Sequence, residues 1–305
     1  MLSFDDGTPI ALIKGGKHDK KILYIRDDDP SKSIKNNPLD MVEDIYKTAN
    51  KNKLSKTDMI KIKLALDKDD DNEFLGSVYD VVSDVKDKCR DMSKKELKLF
   101  DDGVIQPLPR FDKTERSYIA GQTECGKTYY CRRYLEQMRK VFKDKKIFVF
   151  SDVEEDKEID SLKNIVRFKL DDELLNKDPI RPEKFKDSIC VFDDIDSIQN
   201  PALLKYIQAL RDSLLRRGRH EDISCLITSH LFTNYKDTRI ILNECNNITL
   251  FPRSGSSHGI QYLLSKHIGM DKKQIQRVLD LPSRWITIHK NHPQYILYEK
   301  GAYVI

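Results

Sequence analysis

Gly121-Gln122-Thr123-Glu124-Cys125-Gly126-Lys127-Thr128 fits the pattern G-x-x-x-x-G-K-[ST] in full. A loop of this kind wraps a polyphosphate with backbone N–H groups, so glycine stands where a side chain would intrude. Lys127 is expected to place a point charge on the β- and γ-phosphate oxygens, and Thr128 to offer a hydroxyl to Mg²⁺. A helix opening at Lys127 would aim its positive end at the same anion. The eight residues are therefore candidate binders of a nucleoside triphosphate, with ATP the expected one.

A second acidic element fits the same chemistry. Ser188-Ile189-Cys190-Val191-Phe192-Asp193-Asp194 reads as a buried strand ending in two carboxylates. Asp193 would hold the Mg²⁺ shell together with Thr128, and Asp194 would orient or deprotonate an attacking water. Asp196 reads as an ordinary loop acid. The strand Ile223–Thr228 ends in Ser229-His230, where either residue could sense the γ-phosphate. Lys127, Asp194, Ser229 and His230 are the catalytic candidates. Arg216-Arg217-Gly218-Arg219-His220 closes a helix, where cations suit the dipole. Arg217 and Arg219 are also candidates for an arginine that stabilises phosphoryl charge, as are Arg253 and Arg284.

These residues need a scaffold. Beyond Pro107 and Pro109, short apolar runs alternate with amphipathic stretches, which predicts an α/β fold with a mainly parallel sheet covered by helices. Strands are expected at Arg116–Ala120, Lys146–Ser151, Ser188–Phe192, Ile223–Thr228 and Ile248–Phe251. Helices are expected from Lys127 to about Phe142 and from Asn200-Pro201 to Gly218, the latter with an asparagine cap and proline at its first position. Lys146–Ser151 lies between the phosphate loop and the acidic strand. This inserted strand, with the second acid, favours the branch of ATPases that carries an additional central strand, and with it ATP hydrolysis. Asp271-x-x-Gln274 reads as a capping box. Trp285–His289, Gln294–Tyr298 and Tyr303–Ile305 predict a small antiparallel meander, about residues 283–305.

Residues 1–105 read as a charged extension of mixed α/β character, separate from a domain at 106–305. Pro9–Ile13 and Lys21–Arg26 flank the turn-forming Gly15-Gly16, suggesting a hairpin. Met41, Ile45 and Tyr46, then Phe74, Leu75, Val78, Val81, Val82 and Val85, keep helical spacing. The acidic run at 68–73 lacks the glycine and distal glutamate of a calcium-binding EF-hand loop and reads as a solvated loop.

Composition narrows the class. The chain has 305 residues, 39% hydrophobic and 34% charged, with a net charge of +4. Residues 1–105 hold 20 Lys and Arg against 22 Asp and Glu, and 15 of the 17 arginines fall after them. Arginine forks onto phosphates and carboxylates, so the second part is where the chemistry is expected. Six cysteines are spread singly with no C-x-x-C pair, which argues against zinc and redox motifs and for a reducing compartment. No apolar run approaches the roughly 20 residues that cross a bilayer. The first residues have neither a basic nor an apolar leader region. The expectation is a protein with no membrane-spanning segment that is not secreted.

Four motif sets together resemble the DNA-packaging ATPases of large nucleocytoplasmic DNA viruses, which include the poxvirus packaging ATPase, within the FtsK–HerA superfamily of P-loop NTPases. They are Gly121–Thr128; Val191-Phe192-Asp193-Asp194; Arg217-Gly218-Arg219-His220 with Leu226-Ile227-Thr228-Ser229-His230; and Thr238-Arg239-Ile240-Ile241-Leu242-Asn243-Glu244. Ser283-Arg284-Trp285 and the segment 295–305 are similar to the same proteins. The resemblance covers about residues 110–305. It implies an ATP- and Mg²⁺-dependent translocase that moves viral double-stranded DNA into a capsid. It further implies a homo-oligomeric ring, a hexamer, that docks on a capsid or portal component at the virion or the viral assembly site. Another P-loop ATPase, a helicase or a protein-remodelling enzyme, is the alternative. Asp194 stands where the superfamily commonly has Glu, Glu124-Cys125 where many loops carry small residues, and Ser229-His230 where many relatives have Gln or Asn.

Overall fold

A computed structural model describes residues 1–26, 55–68, 78, 81–83, 95–176, 180–234, 237–254 and 257–305. The proposed helical positions Met41, Ile45, Tyr46, Phe74, Leu75 and Val85, and the acidic run at 69–73, lie outside them. Six strands run parallel at the centre: β6 (Arg116–Ala120), β7 (Lys146–Ser151), β8 (Ile165–Lys169), β9 (Ser188–Asp193), β10 (Ser224–Ser229) and β11 (Asn247–Leu250). The antiparallel strands β12 (Ile286–His289), β13 (Tyr295–Tyr298) and β14 (Gly301–Val304) continue the sheet from β11, and β4 (Glu96–Lys98) closes it. The order is β4-β14-β13-β12-β11-β6-β10-β9-β7-β8.

The inserted strand is not the one the chain order suggested. Lys146–Ser151 lies beyond the acidic strand β9, and β10 fills the place between β9 and the phosphate-loop strand β6. Chain order and sheet order part because β7 lies three places out from β6, and the later strands β9 and β10 fill the gap between them. The additional central strand is therefore present and carries Ser229 at its end. Strand β8 was not anticipated from the sequence. At the sheet edge, its Ile-Val-Arg-Phe-Lys run keeps no fully buried residue and loses the continuous apolar signature of the central strands.

Strand pleating splits the core between two faces. Ile189 and Val191 of β9 pack with Ile119, Val149 and Leu226 beneath α2 (Lys127–Val141), which contributes Leu135 and Met138. Cys190 and Phe192 point the other way, to Phe150, Phe185 and the stripe Leu203, Ile207, Leu210 and Leu214 of α3 (Pro201–Arg217). Asn200 caps α3 by accepting from the N–H groups of Ala202 and Leu203 at 2.9 and 3.3 Å. The capping box opens a helix at Lys272–Leu279 with both of its reciprocal bonds formed.

The hairpin near the start consists of β2 (Thr8–Lys14) and β3 (Ile22–Ile25), with β1 (Leu2–Ser3) on one edge and β5 (Val104–Pro107) on the other. This small sheet leans on the meander. Ile10, Ile13, Leu23 and Ile105 share a core with Leu297, Ala302 and Tyr295. Lys300 Nζ donates to the carbonyl oxygens of Asp101 and Gly103, both at 3.0 Å. Among the described residues, no helix is long and apolar enough to cross a membrane.

Candidate active site

Strand β6 delivers the chain to Gly121 at the carboxyl end of the parallel strands, and the loop Gly121–Gly126 turns it into α2. Glycine is required at both ends of this turn for different reasons. A Cβ on Gly121 would meet Cys125 Sγ at 2.5 Å and Phe251 Cδ2 at 2.8 Å. Gly126 has φ +101°, in the left-handed region. No side chain caps α2, which leaves the N–H groups of its first turn for an anion.

Lys127 is buried and folds back over the loop. Its Nζ donates to Gly121 O at 2.9 Å and Gln122 O at 3.3 Å, and lies 3.7 Å from Asp194 Oδ2. His230 Nδ1 is 3.1 Å from the same ammonium, and His230 Nε2 is 3.1 Å from Asp194 Oδ2. An ammonium only donates, so Nδ1 accepts and the ring proton sits on Nε2, facing the carboxylate. A lysine, an imidazole and a carboxylate thus meet at the mouth of the loop.

Asp193 sits behind them at 8% exposure. Its Oδ1 accepts from Thr228 Oγ1 at 2.7 Å and its Oδ2 from Ser151 Oγ at 3.3 Å. Burial holds its carboxyl above the ordinary carboxylate value. The hydroxyl of Thr228 opposes that rise, and the charges of Asp194 and Asp156 add to it. Thr228 also accepts from the backbone N–H of Asp194 at 2.9 Å, so one hydroxyl fixes both acids. Asp194 itself lies at φ +43°, which turns its side chain out of the strand direction. Its Oδ1 is buried with no hydrogen-bond partner among the described residues.

The two residues proposed as sensors separate. Ser229 Oγ donates to Asp196 Oδ2 at 2.5 Å and accepts from Leu231 N–H at 3.0 Å, while its carbonyl receives Gly121 N–H at 3.1 Å. Its hydroxyl is therefore engaged away from Lys127, and His230 is the residue that reaches the loop. The arginines separate too. Arg253 and Arg284 follow β11 and precede β12, on the sheet edge that carries the loop. Arg217 and Arg219 end α3 and its 3₁₀ extension just before β10, at the opposite edge. All four side chains are exposed.

Thr228 and Ser151, which hold Asp193, escaped the sequence reading. Both are strand-end hydroxyls, and only the strand order β10-β9-β7 shows that they flank the acid. Cys190 and Cys225 are buried in the central strands β9 and β10. Burial pushes the Cys190 thiol up to about 12 and the Cys225 thiol well above its usual value.

A phosphate loop between strand and helix, a strand-end acid pair and a central strand between them define a P-loop NTPase. Scanned against protein-family models, the chain matches none. It is 42% identical over 214 residues to "Uncharacterized protein V3" of Sputnik virophage, a match that spans 70% of this chain and 85% of that one, and it belongs to the family of that protein. Among solved structures it is similar to the genome packaging NTPase B204 of Sulfolobus turreted icosahedral virus 2 in complex with AMPPCP, at 15% identity over 63% of this chain and 99% of that one, TM-score 0.43. It is also similar to the pCW3 conjugation coupling protein TcpA with ATPγS, at 15% identity over 70% of this chain and 68% of that one, TM-score 0.45.

Proposed function

We propose that the chain hydrolyses ATP and uses the energy to move double-stranded viral DNA into a capsid. The observation that carries the first half is the meeting of Lys127, His230 and Asp194 over a glycine-framed loop, with buried Asp193 behind them. The second half is supported by the resemblance of four motif sets to viral packaging ATPases and by kinship with a virophage protein.

In this reading the N–H groups of Gly121–Thr128 and the uncapped start of α2 bind the phosphates, and Lys127 exchanges its carbonyl partners for phosphate oxygens. The residues present fit a hydrated divalent cation, because Asp194 Oδ1 is a buried acceptor that lacks a donor among the described residues. Thr128 and Asp193 would hold Mg²⁺, which supplies charge neutralisation on the phosphates when bound. Asp194 positions the attacking water, and the Nε2 proton of His230 orients Asp194. An arginine from a neighbouring subunit completes the site, drawn from Arg217, Arg219, Arg253 or Arg284. That requirement calls for a ring, a hexamer by resemblance, around duplex DNA and docked on a capsid or portal component at the viral assembly site. Contacts would fall on the DNA backbone, so affinity should drop steeply with salt and show little sequence preference.

The test is ATP turnover measured with blunt duplex, with single strand and without DNA. Stimulation by duplex with both strands left paired supports packaging. Stimulation by single strand alone, or with strand separation, assigns the chain to the helicases and overturns the reading.

A further inference from the structure

Three consecutive residues at the end of β10 each hold the chain that follows β9. Thr228 bonds to the Asp193 carboxylate and to the N–H of Asp194, and His230 reaches the Asp194 carboxylate. Between them, Ser229 Oγ donates to Asp196 Oδ2 at 2.5 Å. Asp196 lies two residues past Asp194 and is half-buried, and this bond is its link to the site.

The bond closes a frame around His230. A hydroxyl donating to a carboxylate is charge-assisted and about twice as strong as a neutral pair. Ser229 is buried, so water competes little for it. With its proton committed to Asp196, the same Oγ accepts from Leu231 N–H at 3.0 Å, a serine turn with His230 at its centre. Tyr118 Oη donates to the carbonyl oxygen of Leu231, and the carbonyl oxygen of Ser229 receives Gly121 N–H at 3.1 Å. The backbone is thereby pinned on both sides of His230. The acid side is equally tight. Asp196 sits in the 3₁₀ turn Ile195–Ser197, and Ser197 bonds back to the carbonyl oxygen of Asp194 through its N–H at 3.1 Å and its Oγ at 2.8 Å. Asp194 and Asp196 belong to one turn, Ser229 and His230 to another, and two side-chain contacts join the turns.

This frame bears on what happens when a nucleotide binds. The His230 side chain is exposed, and Lys127 and Asp194 are the groups its ring nitrogens face. Once phosphate draws Lys127 away, the contact with Asp194 must hold the ring by itself, and it holds only if the backbone beneath the ring stays where it is. We propose that Asp196 is a positioning residue for hydrolysis: through Ser229 it fixes the turn that presents His230 Nε2 to Asp194, and so keeps Asp194 aligned on the attacking water. The inference rests on the hydrolytic reading of the preceding section and adds an acid that acts only through its neighbours.

The full chain is assayed for single-turnover ATP cleavage and for equilibrium ATP binding. Asp196→Ala, Asp196→Asn and Ser229→Ala are each made alone and together with His230→Ala. Asp196→Ala and Ser229→Ala, which break the same bond from its two sides, should each slow cleavage about 10-fold. ATP affinity should stay within about twofold of the unaltered protein, which also shows that the variants are folded. Asp196→Asn keeps an acceptor oxygen for Ser229 and should recover most of the rate. Combined with His230→Ala, neither substitution should slow cleavage further, because the residue they serve is gone. A full rate in Asp196→Ala and Ser229→Ala, a loss of affinity that matches the loss of rate, or an equal loss of rate with and without His230 overturns the proposal. ATP binding without any cleavage by the unaltered protein is a different result: it overturns the hydrolytic reading, and the role of Asp196 falls with it.

Discussion

His230 Nε2 lies 3.1 Å from Asp194 Oδ2, and through this contact the residue after strand β10 holds the acid that follows strand β9. The other ring nitrogen faces Lys127, so any ligand that draws the lysine away leaves His230 attached to Asp194 alone. His230→Ala removes this support together with the ring nitrogen that faces Lys127, and leaves the bonds of Lys127 to Gly121 and Gln122 in place. Turnover should fall about 100-fold while ATP affinity changes little, a split read by comparing kcat with equilibrium binding. An equal loss in affinity would place His230 among the binding groups instead.

Asp193 gives a pH signature. Its carboxyl is held above the ordinary value by burial, so the folded protein binds this proton more tightly than the unfolded chain. Stability contributed by the protonated form is lost as pH rises through the raised value. A Mg²⁺-bound nucleotide requires the ionised form, so its binding should release a proton at pH values below the raised value. Calorimetry in two buffers of different ionisation enthalpy measures that release, and Asp193→Asn should abolish it along with most Mg²⁺-dependent affinity.

Gly121→Ala places a methyl group against Cys125 Sγ and Phe251 Cδ2, at 2.5 and 2.8 Å. Overpacking of this kind costs about 1–3 kcal/mol, so thermal stability and nucleotide affinity should both fall. Adding Cys125→Ala removes one obstacle and leaves Phe251, so the double variant should recover only part of the lost stability. Full recovery would mean that Phe251 yields without cost.

Far from the site, His289 sets an acid limit on the fold. Its Nδ1 lies 2.7 Å from Asn247 Oδ1, whose amide Nδ2 donates to buried Glu115 at 2.7 Å. Burial, with the charges of Arg110 and Lys113, lowers the imidazole value to about 4. Neutral His289 therefore contributes about 3 kcal/mol that is present above the ordinary value near 6.5 and lost as pH falls from there toward 4. Urea unfolding between pH 7.5 and 4.5 should show this slope, and His289→Phe should flatten it despite lower stability at neutral pH.

Local signals were the legible ones. The loop Gly121–Thr128, the proline-started helix Pro201–Arg217 and the capping box at Asp271 each depend on residues a few positions apart, and each formed as its sequence indicates. What the chain order hid was nonlocal. The place of β10 between β6 and β9 decides that Thr228 touches both acids, and no spacing in the sequence encodes it. The edge strand Ile165–Lys169 was hidden because edge position relaxes the demand for apolar residues. Ser229 and His230 are interchangeable in sequence, and the bond of Ser229 to Asp196 and the contacts of His230 with Lys127 and Asp194 separate them.

Displacement of a third strand from a DNA triplex tests most directly the proposed coupling of ATP cleavage at Lys127 and Asp194 to movement along duplex DNA. The expected result is ATP-dependent release of the third strand with the underlying duplex intact, absent in Lys127→Ala and Asp194→Asn. Hydrolysis that proceeds without any release, or release that separates the duplex itself, would contradict it.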